Sequence, residues 1–353
     1  MAGADIPYHL RIKKFVERKI FNELLGLLFN VYNPENYSYI SMGGPFLADH
    51  HLLSKSFELK KLISIEKDKN IVSRQEFNQK TNIVECLNLD SSELVSSFTS
   101  IAYDLGGAEN CIAWLDFADA KHRHSQITEF GSILPQLSSG DIIKITLNCS
   151  ISTLSGYARS GCPANEQQIL MKADLNEILG NLCDVSIIDG ANLTNISMAQ
   201  YLLQALEKKC LESSDAYSNT FFLPISKLLY NDGHHEMLTV TCIALKDEEE
   251  DVLKREADLE NWEYFSPDWT SITKISFPDL SIKERTEIER LIATGIPPHE
   301  INEQIEFQLE KNVGESIKSL QEYNQFRNFI PYIAFADSIP LPKEVEDHLL
   351  IVA

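Results

Sequence analysis

Hydrophobic positions along the chain follow two alternating patterns, which together predict a sheet built from βα units. Short, nearly continuous apolar runs are each followed by a longer segment in which apolar residues recur at helical spacing. The runs predict strands over residues 37–42, 61–66, 82–87, 111–117 and 141–147, and the segments between them predict helices over 46–53, 70–79, 92–103 and 124–137. Such runs are typical of parallel strands that helices cover on both faces. The pattern therefore predicts a Rossmann-like, doubly wound α/β sheet.

After the fifth predicted strand the pattern changes twice. Helical spacing covers 165–182 and 195–211, inside a mostly helical stretch over 150–214, and two alternating apolar runs then cover 220–230 and 237–245. The dipeptide Asp232-Gly233 lies between these two runs and is a strong hairpin signal. We therefore expect a mostly parallel, seven-stranded sheet whose last strand is antiparallel.

Both ends of the chain are expected to add helices to this sheet. Residues 7–32 form one long amphipathic pattern, and Ser281 with Glu284 three positions later predicts a capped helix start. The acidic run 246–254 is expected to be a solvated linker or a helix start. Helices are predicted over 281–294 and 298–329, and the expected parts are an N-terminal helix (1–36), a Rossmann-like domain (37–246) with a helical insertion (150–214), and a helical C-terminal appendage (247–353).

The charge balance argues against direct nucleic-acid binding. The formal net charge is −21, from 52 acidic and 31 basic residues, and the sequence pI is about 4.8. Nucleic-acid phosphates require a basic surface. A local basic patch or a basic partner subunit remains compatible with this composition.

Cysteine usage and hydropathy favour a soluble, cytoplasmic protein. The seven cysteines are scattered along 353 residues without a C-x-x-C pair. An odd number of scattered cysteines in a chain of this size is typical of reduced thiols in the cytoplasm. No apolar run reaches the roughly 20 residues that a membrane-spanning helix needs, and no N-terminal apolar signal is visible.

The most informative stretch joins the first predicted strand to the next helix. Gly43 and Gly44 lie at this junction, where a glycine pair lets a ligand approach bare backbone at a helix N-terminus. The second predicted strand ends in Glu66. A glycine turn followed by an acid at the next strand tip is how Rossmann-type sheets hold a nucleoside, with the carboxylate accepting from the ribose hydroxyls. The alternatives are a simple tight turn and a surface acid.

The order of these features resembles the class I S-adenosylmethionine-dependent methyltransferase fold, in which the seventh strand is antiparallel and pairs through a late hairpin. The strings YISMGGPFLADHHLL, ISIEKD, EFNQKTNIVECLNLDSSEL, AWLDFADA, KITLNCS and FPDLSIKER are similar to a bacterial family described as O-methyltransferases of unknown substrate. The resemblance covers about residues 37–245 and the later segment. It implies S-adenosyl-L-methionine as the cofactor.

The glycine loop departs from the usual methyltransferase pattern. That pattern has three small positions, G-x-G-x-G, with an acid two residues before the first glycine. Gly43, Pro45 and Leu47 hold the three positions here, Ser41 stands in place of the acid, and Gly44 is out of phase. The departure leaves open a chain that keeps the fold and has lost its activity.

The resemblance implies functional residues at the strand ends. Cofactor contacts are expected for Ser41, Gly43, Gly44, Asp49, Glu66, Leu89, Asp90 and Asp116, and a catalytic role for Asp116. Residue type and position alone add a catalytic role for His122 and substrate contact for Asn148. From its position alone, Asp90 is an equally good N-cap for the following helix. His122 and His124 could bind a metal, act as a base or lie in an exposed loop. No third ligand has suitable spacing, so no metal site is predicted.

Two functions from different classes fit this sequence. The first is methyl transfer, most simply to oxygen, on a small-molecule or protein acceptor, with positioning supplying most of the rate. The alternative is a catalytically degenerate, methyltransferase-like subunit that binds partners in a larger assembly or homo-oligomer, because a fold does not determine a function. A nicotinamide dehydrogenase fits less well, since the first turn lacks G-x-G-x-x-G. Cofactor binding would separate the first two functions.

Overall fold

The computed structural model of the chain describes residues 11–79, 83–183, 192–217 and 220–331. The parts of the predicted elements and domains that fall on 1–10, 80–82, 184–191, 218–219 and 332–353 lie outside the described residues. The strands are β1 (Tyr37–Ser41), β2 (Lys61–Ile65), β3 (Val84–Leu87), β4 (Asn110–Asp116), β5 (Ile142–Asn148), β6 (Thr220–Asp232), β7 (His235–Lys246) and β8 (Thr273–Ile275). They form one sheet in the order β3-β2-β1-β4-β5-β7-β6-β8.

The pairing confirms the predicted Rossmann-like topology. β1 pairs in parallel with both β2 and β4, while β3 and β5 extend the sheet in parallel on either side. β7 lies antiparallel between β5 and β6. The predicted hairpin joins β6 to β7 through Gly233, whose φ of 63° is a left-handed conformation that glycine adopts at no steric cost.

An eighth strand adds to the seven that the sequence predicted. β8 pairs in parallel with Leu228–Tyr230 of β6, at the edge of the sheet. It lies in a segment that was expected to be helical. Three residues are too few for an alternating pattern to be visible, so only the neighbouring strand reveals it.

Helices occupy both faces of the sheet and the C-terminal part of the chain. They are α1 (Ile12–Leu28), α2 (Ala48–Ser56), α3 (Lys69–Asn78), α4 (Ser91–Thr99), α5 (Arg123–Ile133), α6 (Ala164–Leu179), α7 (Asn195–Tyr217), α8 (Glu250–Glu256), α9 (Ile282–Ala293), α10 (Pro298–Gln304) and α11 (Val313–Phe326). The predicted capping box at Ser281 and Glu284 is confirmed at the start of α9. No described helix is long and apolar enough to cross a membrane.

The prediction of a single helix over 298–329 is wrong, because this segment folds as the two helices α10 and α11. Glu306, with a φ of 55°, follows the end of α10 in a left-handed conformation that cannot continue a right-handed helix. Asn312 then caps α11, with its side chain accepting a hydrogen bond from the Glu315 amide at 2.9 Å.

Successive residues of a strand face opposite cores, which explains the nearly continuous apolar runs. On β4, Trp114 faces α1 and packs edge-on against Phe21 with ring centroids 5.4 Å apart. Its neighbours Ala113 and Leu115 belong to the opposite core, with residues such as Phe130 of α5. Each face of the sheet is therefore buried beneath helices.

A third core joins the N-terminal helix to the C-terminal helices. Val16 and Ile20 of α1 pack in one buried cluster with Tyr230 of β6, Ile275 of β8 and Tyr323 of α11. The expected N-terminal and C-terminal additions therefore contact each other at the edge of the sheet beside β6 and β8.

Buried charges lie between α1 and the sheet. Lys144 of β5 is 1% exposed, and its Nζ lies 2.5 Å from Oε1 of the fully buried Glu17. The same ammonium lies 3.7 and 3.8 Å from the ring centroids of Phe21 and Trp114. Burial lowers the pKa of Lys144 to about 8, against the opposing effect of Glu17, so this lysine stays charged at neutral pH.

A second buried lysine is expected to make stability depend on pH. Lys227 of β6 is 1% exposed, its Nζ donates to the carbonyl oxygen of Ser266, and burial lowers its pKa from 10.5 to about 8 despite the nearby Asp268. The folded state thus holds this proton less tightly than the unfolded chain. The resulting cost is present below pH 8 and disappears as pH rises to about 10.5.

We expect Lys227→Met to raise the free energy of unfolding at pH 7 by about 1 to 2 kcal/mol, since it removes a buried charge. The advantage over wild type should shrink as pH rises from 7 to 9.5, and urea unfolding at both pH values measures it. Lys60→Met, at an exposed lysine, is the control and should show no such pH dependence. An advantage of Lys227→Met that is the same at both pH values would contradict the prediction.

Candidate active site

The strand order reverses between β1 and β4, and this is where open α/β sheets bind ligands. β2 and β3 extend from one side of β1, while β4 and β5 extend from the other. A crevice forms at the carboxyl ends of the strands at such a switch point. The structure brings the predicted site residues to this edge, because they end or follow strands: Ser41 (β1), Glu66 (β2), Leu89 and Asp90 (β3), Asp116 (β4) and Asn148 (β5).

The loop between β1 and α2 requires its first glycine for packing. A Cβ on Gly43 would lie 2.7 Å from Ser64 Oγ and 2.8 Å from both His50 Cε1 and Leu47 Cδ2, closer than real side chains allow. The Gly43 amide donates to Ser64 Oγ at 3.3 Å. Any side chain at this position would therefore push the loop away from β2.

Two further residues give the loop its path. Gly44 has a φ of 53°, and Leu47 has a φ of 49° as the N-cap of α2. A left-handed conformation costs a non-glycine residue roughly 1–2 kcal/mol. The Leu47 side chain is fully buried, and burying a leucine contributes roughly 1.5–3 kcal/mol, which offsets that cost. A leucine thus replaces the usual small residue without opening the loop.

Asp49 and Ser41 bind each other beneath this loop. Oδ2 of Asp49 accepts hydrogen bonds from Ser41 Oγ at 2.7 Å and Tyr39 Oη at 2.5 Å. The other carboxylate oxygen, Oδ1, lies 3.7 Å from His50 Nδ1 and makes no hydrogen bond within the described residues. Burial alone would raise the pKa of Asp49, but His50 and Arg18 hold it well below its usual range. Asp49 is therefore a carboxylate, and it ties α2 to β1.

Glu66 is placed at the tip of β2 as the sequence predicts. It is half-buried, and its Oε1 accepts from the Asp68 amide at 2.9 Å. Its second oxygen, Oε2, makes no hydrogen bond to a described residue. Asn88, which sequence reasoning missed, donates to the Glu66 and Lys67 carbonyl oxygens at 2.9 and 3.0 Å. An asparagine directly after a strand was the available signal for this link between the tips of β2 and β3.

The structure places Asp90 as the N-cap of α4. Its Oδ1 accepts from the Glu93 amide at 2.9 Å, and the Glu93 carboxylate accepts from the Asp90 amide at 2.8 Å. Hydrogen bonds from Glu93 and Ser92 lower the pKa of Asp90. The neighbouring Leu89 is half-buried against the core. Asp90 is therefore the N-cap that its position predicted, and it lies just beyond the end of β3.

Asp116 lies beneath α1 and is paired with two cations. Its Oδ2 lies 3.0 Å from Arg18 Nη2 and 3.3 Å from Lys14 Nζ, and its side chain is only 8% exposed. Burial alone would raise the pKa of Asp116, but Lys14 and Arg18 lower it. The Arg18 guanidinium also stacks over Trp114, with its carbon 4.6 Å from the ring centroid. Sequence reasoning missed both cations, because only the docking of α1 brings them to β4.

His122 and Asn148 lie in different surroundings. The His122 side chain is 67% exposed, and its Nδ1 lies 2.9 Å from Asp119 Oδ2. Asn148 is buried, and its Oδ1 accepts from the Ser150 amide at 3.0 Å and from Nη2 of the buried Arg123 at 3.3 Å. In this structure the Asn148 side chain holds the loop after β5, whereas the His122 ring faces solvent.

Two cavities of the described part of the chain lie away from the predicted site residues. Two shallow cavities of about 540 and 460 Å³ are lined by residues from 159 to 208, on and around α6 and α7, and neither includes a predicted site residue. Among the described residues, no group of three histidine, cysteine or acidic side chains is arranged to hold a metal ion. The strand tips and the glycine loop are therefore the features that mark a site at the sheet edge.

Comparison with known proteins identifies the family. The sequence profile of the family described as "Putative O-methyltransferase" matches residues 6–338. The chain belongs to this family. The match covers nearly the whole sequence and confirms the resemblance drawn from the strings around β1 to β5. No curated protein matches the chain.

Several solved structures resemble this family member at low identity. Trm1 from Pyrococcus horikoshii, in a complex with S-adenosyl-L-methionine, has a TM-score of 0.40 at 8% identity, covering 87% of this chain and 76% of that chain. A "putative S-adenosylmethionine dependent methyltransferase" from Listeria monocytogenes has a TM-score of 0.36 at 11% identity, covering 64% and 99%. The N-methyltransferase NodS from Bradyrhizobium japonicum has a TM-score of 0.34 at 10% identity, covering 65% and 97%. The strand order, with β7 antiparallel between β5 and β6, establishes the fold.

Proposed function

We propose that the protein is an S-adenosyl-L-methionine-dependent methyltransferase that methylates an oxygen atom of a small-molecule or protein acceptor. The observation that carries the proposal is Glu66, a half-buried carboxylate at the tip of β2, beside the Gly43–Gly44 loop at the switch point of the sheet. Membership of a family described as "Putative O-methyltransferase" supports both the reaction and the oxygen acceptor.

The residues at the sheet edge fit such a cofactor. Glu66 Oε2, which makes no hydrogen bond to a described residue, suits the ribose hydroxyls. Gly43 and Gly44 supply bare backbone at the start of α2, with Ser41 and Asp49 fixing that helix to β1. Leu89 and Asp90 lie at the tip of β3, where a base on that ribose would extend. When bound, the cofactor supplies an electrophilic methyl group on a sulfonium.

The protein's own contribution is mainly to align the acceptor and exclude water. Positioning of this kind supplies much of the rate in a displacement that needs little acid–base help. For a hydroxyl acceptor, His122 would take the proton: a hydrogen bond from its Nδ1 to Asp119 leaves Nε2 as the acceptor atom. Asp116, held ionised by Lys14 and Arg18, would orient the acceptor, and Asn148 would shape the acceptor side through the loop after β5 that its side chain holds.

The remaining expectations form part of the same proposal. The strongly acidic chain, with a net charge of −21, favours a small-molecule or protein acceptor over a nucleic acid. All seven cysteines are free thiols, which suits a cytoplasmic location. The division into 1–36, 37–246 and 247–353 is proposed as a description of the domains, with α1 shared between the sheet and the C-terminal helices.

A second candidate function is a partner-binding subunit on a degenerate methyltransferase fold. The observation that favours it is the pairing of Asp116 with Lys14 and Arg18, which occupies the carboxylate at the tip of β4. Such a subunit would keep the fold, bind little cofactor and co-purify with its partner.

Calorimetric titration of the purified protein with S-adenosylhomocysteine and S-adenosylmethionine tests the proposal. We expect saturable binding with a dissociation constant in the micromolar range, about −8 kcal/mol. A folded protein that binds neither compound would overturn the methyltransferase proposal and favour the partner-binding subunit.

A further inference from the structure

Helix α3 holds the backbone of the glycine loop through two side-chain amides. Gln75 Nε2 donates to the Gly44 carbonyl oxygen at 2.9 Å, and Asn78 Nδ2 donates to the Pro45 carbonyl oxygen at 2.8 Å. Gln75 is fully buried, and Asn78 lies one turn later on the same face of the helix. Two consecutive carbonyl groups of the loop are thus fixed by a helix that follows a different strand.

This contact orients the peptide planes of the loop. In a trans peptide the N–H points opposite to the preceding C=O. When Asn78 holds the Pro45 carbonyl, the Phe46 amide is therefore turned away from α3. The Gly44 carbonyl likewise points at α3, and the residue after it is a proline, which has no N–H to present.

The rest of the loop adds to this arrangement. The Gly43 amide is bound to Ser64 Oγ, and α2 begins directly after Leu47, which supplies no side-chain cap, so the first-turn N–H groups of α2 have no acceptor within the helix. An anionic group that approaches the loop therefore meets the Phe46 amide and the start of α2 rather than the Gly44 and Pro45 carbonyl oxygens, which α3 has engaged.

We infer that Gln75 and Asn78 are positioning residues for the cofactor, which hold the Gly44 and Pro45 carbonyl oxygens on the α3 side so that the loop offers N–H groups to a carboxylate-bearing ligand. The inference rests on the proposed function. The same two contacts fix the path of the loop at Gly44 and Pro45, although Pro45 and Leu47 stand where the usual pattern has its second and third glycines.

The same helix connects the two halves of the proposed site. Asp68 caps α3 by accepting from the Asn70 amide at 2.8 Å, and its own amide donates to Glu66 Oε1 at 2.9 Å. One rigid element therefore spans from the ribose-binding acid to the glycine loop. A change in its loop-facing amides should alter ligand affinity without touching Glu66.

Asn78→Asp tests this inference, because it removes the donor and places a carboxylate against the Pro45 carbonyl while keeping the shape of the side chain. We expect S-adenosylhomocysteine to bind at least about tenfold more weakly by calorimetry, and the amides of residues 43, 44, 46 and 47 to exchange with deuterium faster. Gln75→Met, which removes the other donor, should show the same two changes. It is an uncharged second variant at the more buried position.

Gln79→Glu is the matched control, with the same amide-to-acid change on the residue after Asn78. Gln79 accepts from the Val84 amide at 3.3 Å through Oε1, so it contacts β3 rather than the loop, and its variant should bind within threefold of wild type. Binding within threefold of wild type by both Asn78→Asp and Gln75→Met overturns the inference, as does an equal loss in Gln79→Glu. Absence of binding by the wild type instead overturns the proposed function, and the inference with it.

Discussion

Glu66→Ala is expected to weaken S-adenosylhomocysteine binding by about a hundredfold or more. Hydrogen bonds to a charged group contribute roughly 1.5–3 kcal/mol each, so losing two from a ribose diol costs about 3 kcal/mol or more. Glu66 is suited to this role, because its Oε2 makes no hydrogen bond to a described residue while Oε1 is fixed by the Asp68 amide. Calorimetric titration of wild type and variant measures the loss directly.

Glu85→Ala is the matched control for this experiment. Glu85 lies on the neighbouring β3, is half-buried like Glu66, and its carboxylate contacts Lys61 Nζ at 3.3 Å rather than the sheet edge. It carries the same change in charge and should bind with wild-type affinity. Unchanged affinity in Glu66→Ala, or an equal loss in Glu85→Ala, would remove the ribose assignment.

Lys144→Met is expected to lower the free energy of unfolding by about 3–5 kcal/mol. The substitution leaves Glu17, which is fully buried, without the ammonium that lies 2.5 Å from its Oε1. Breaking a buried pair on one side costs about this much, because an uncompensated charge remains in the interior. Arg18, whose Nη1 is 3.7 Å from Glu17 Oε2, would remain beside that carboxylate. Urea unfolding at pH 7 measures the change.

The double variant Glu17→Leu/Lys144→Met completes the cycle. Replacing both charges with apolar side chains should recover most of the lost stability, since a buried pair often contributes little beyond an apolar pair of similar volume. Lys61→Met is the surface control and should change stability by no more than about 0.5 kcal/mol. A double variant as unstable as Lys144→Met would show that the lysine acts through packing rather than through its charge.

The pairing of Asp116 with α1 bears on how the proposed enzyme meets its acceptor. Lys14 and Arg18 fix α1 to the tip of β4, and Arg11 of the same segment pairs with Asp232 at the β6–β7 hairpin. Basic residues of the N-terminal segment thus form ion pairs at two strand ends on the carboxyl edge of the sheet, those of β4 and β6. If the protein is a methyltransferase, this segment forms one wall of the pocket for the methyl acceptor. If it is a partner-binding subunit, the same segment closes that pocket.

The order of strands and helices followed from the sequence, because it depends on local patterns. Apolar runs marked β1 to β7, and the Asp232-Gly233 turn marked the hairpin. The same patterns placed Gly43 and Glu66 on neighbouring strand ends, since parallel strands end at the same edge of a sheet. Ser281 and Glu284 marked the start of α9 through chemistry within a single turn.

Contacts between distant segments were decided only by the tertiary structure. Arg18 and Asp116 lie 98 positions apart and Glu17 and Lys144 lie 127 apart, and they meet only when α1 docks on the sheet. Periodicity predicts which face of α1 is buried, but not where along the sheet it lies or which polar groups it covers. The hydrogen bonds from the α3 side-chain amides to the glycine loop and the pairing of β8 with β6 are likewise contacts between distant segments. The sequence by itself therefore determined the βα order, the turn and the ribose-acid candidate, whereas packing between elements decided the surroundings of each side chain.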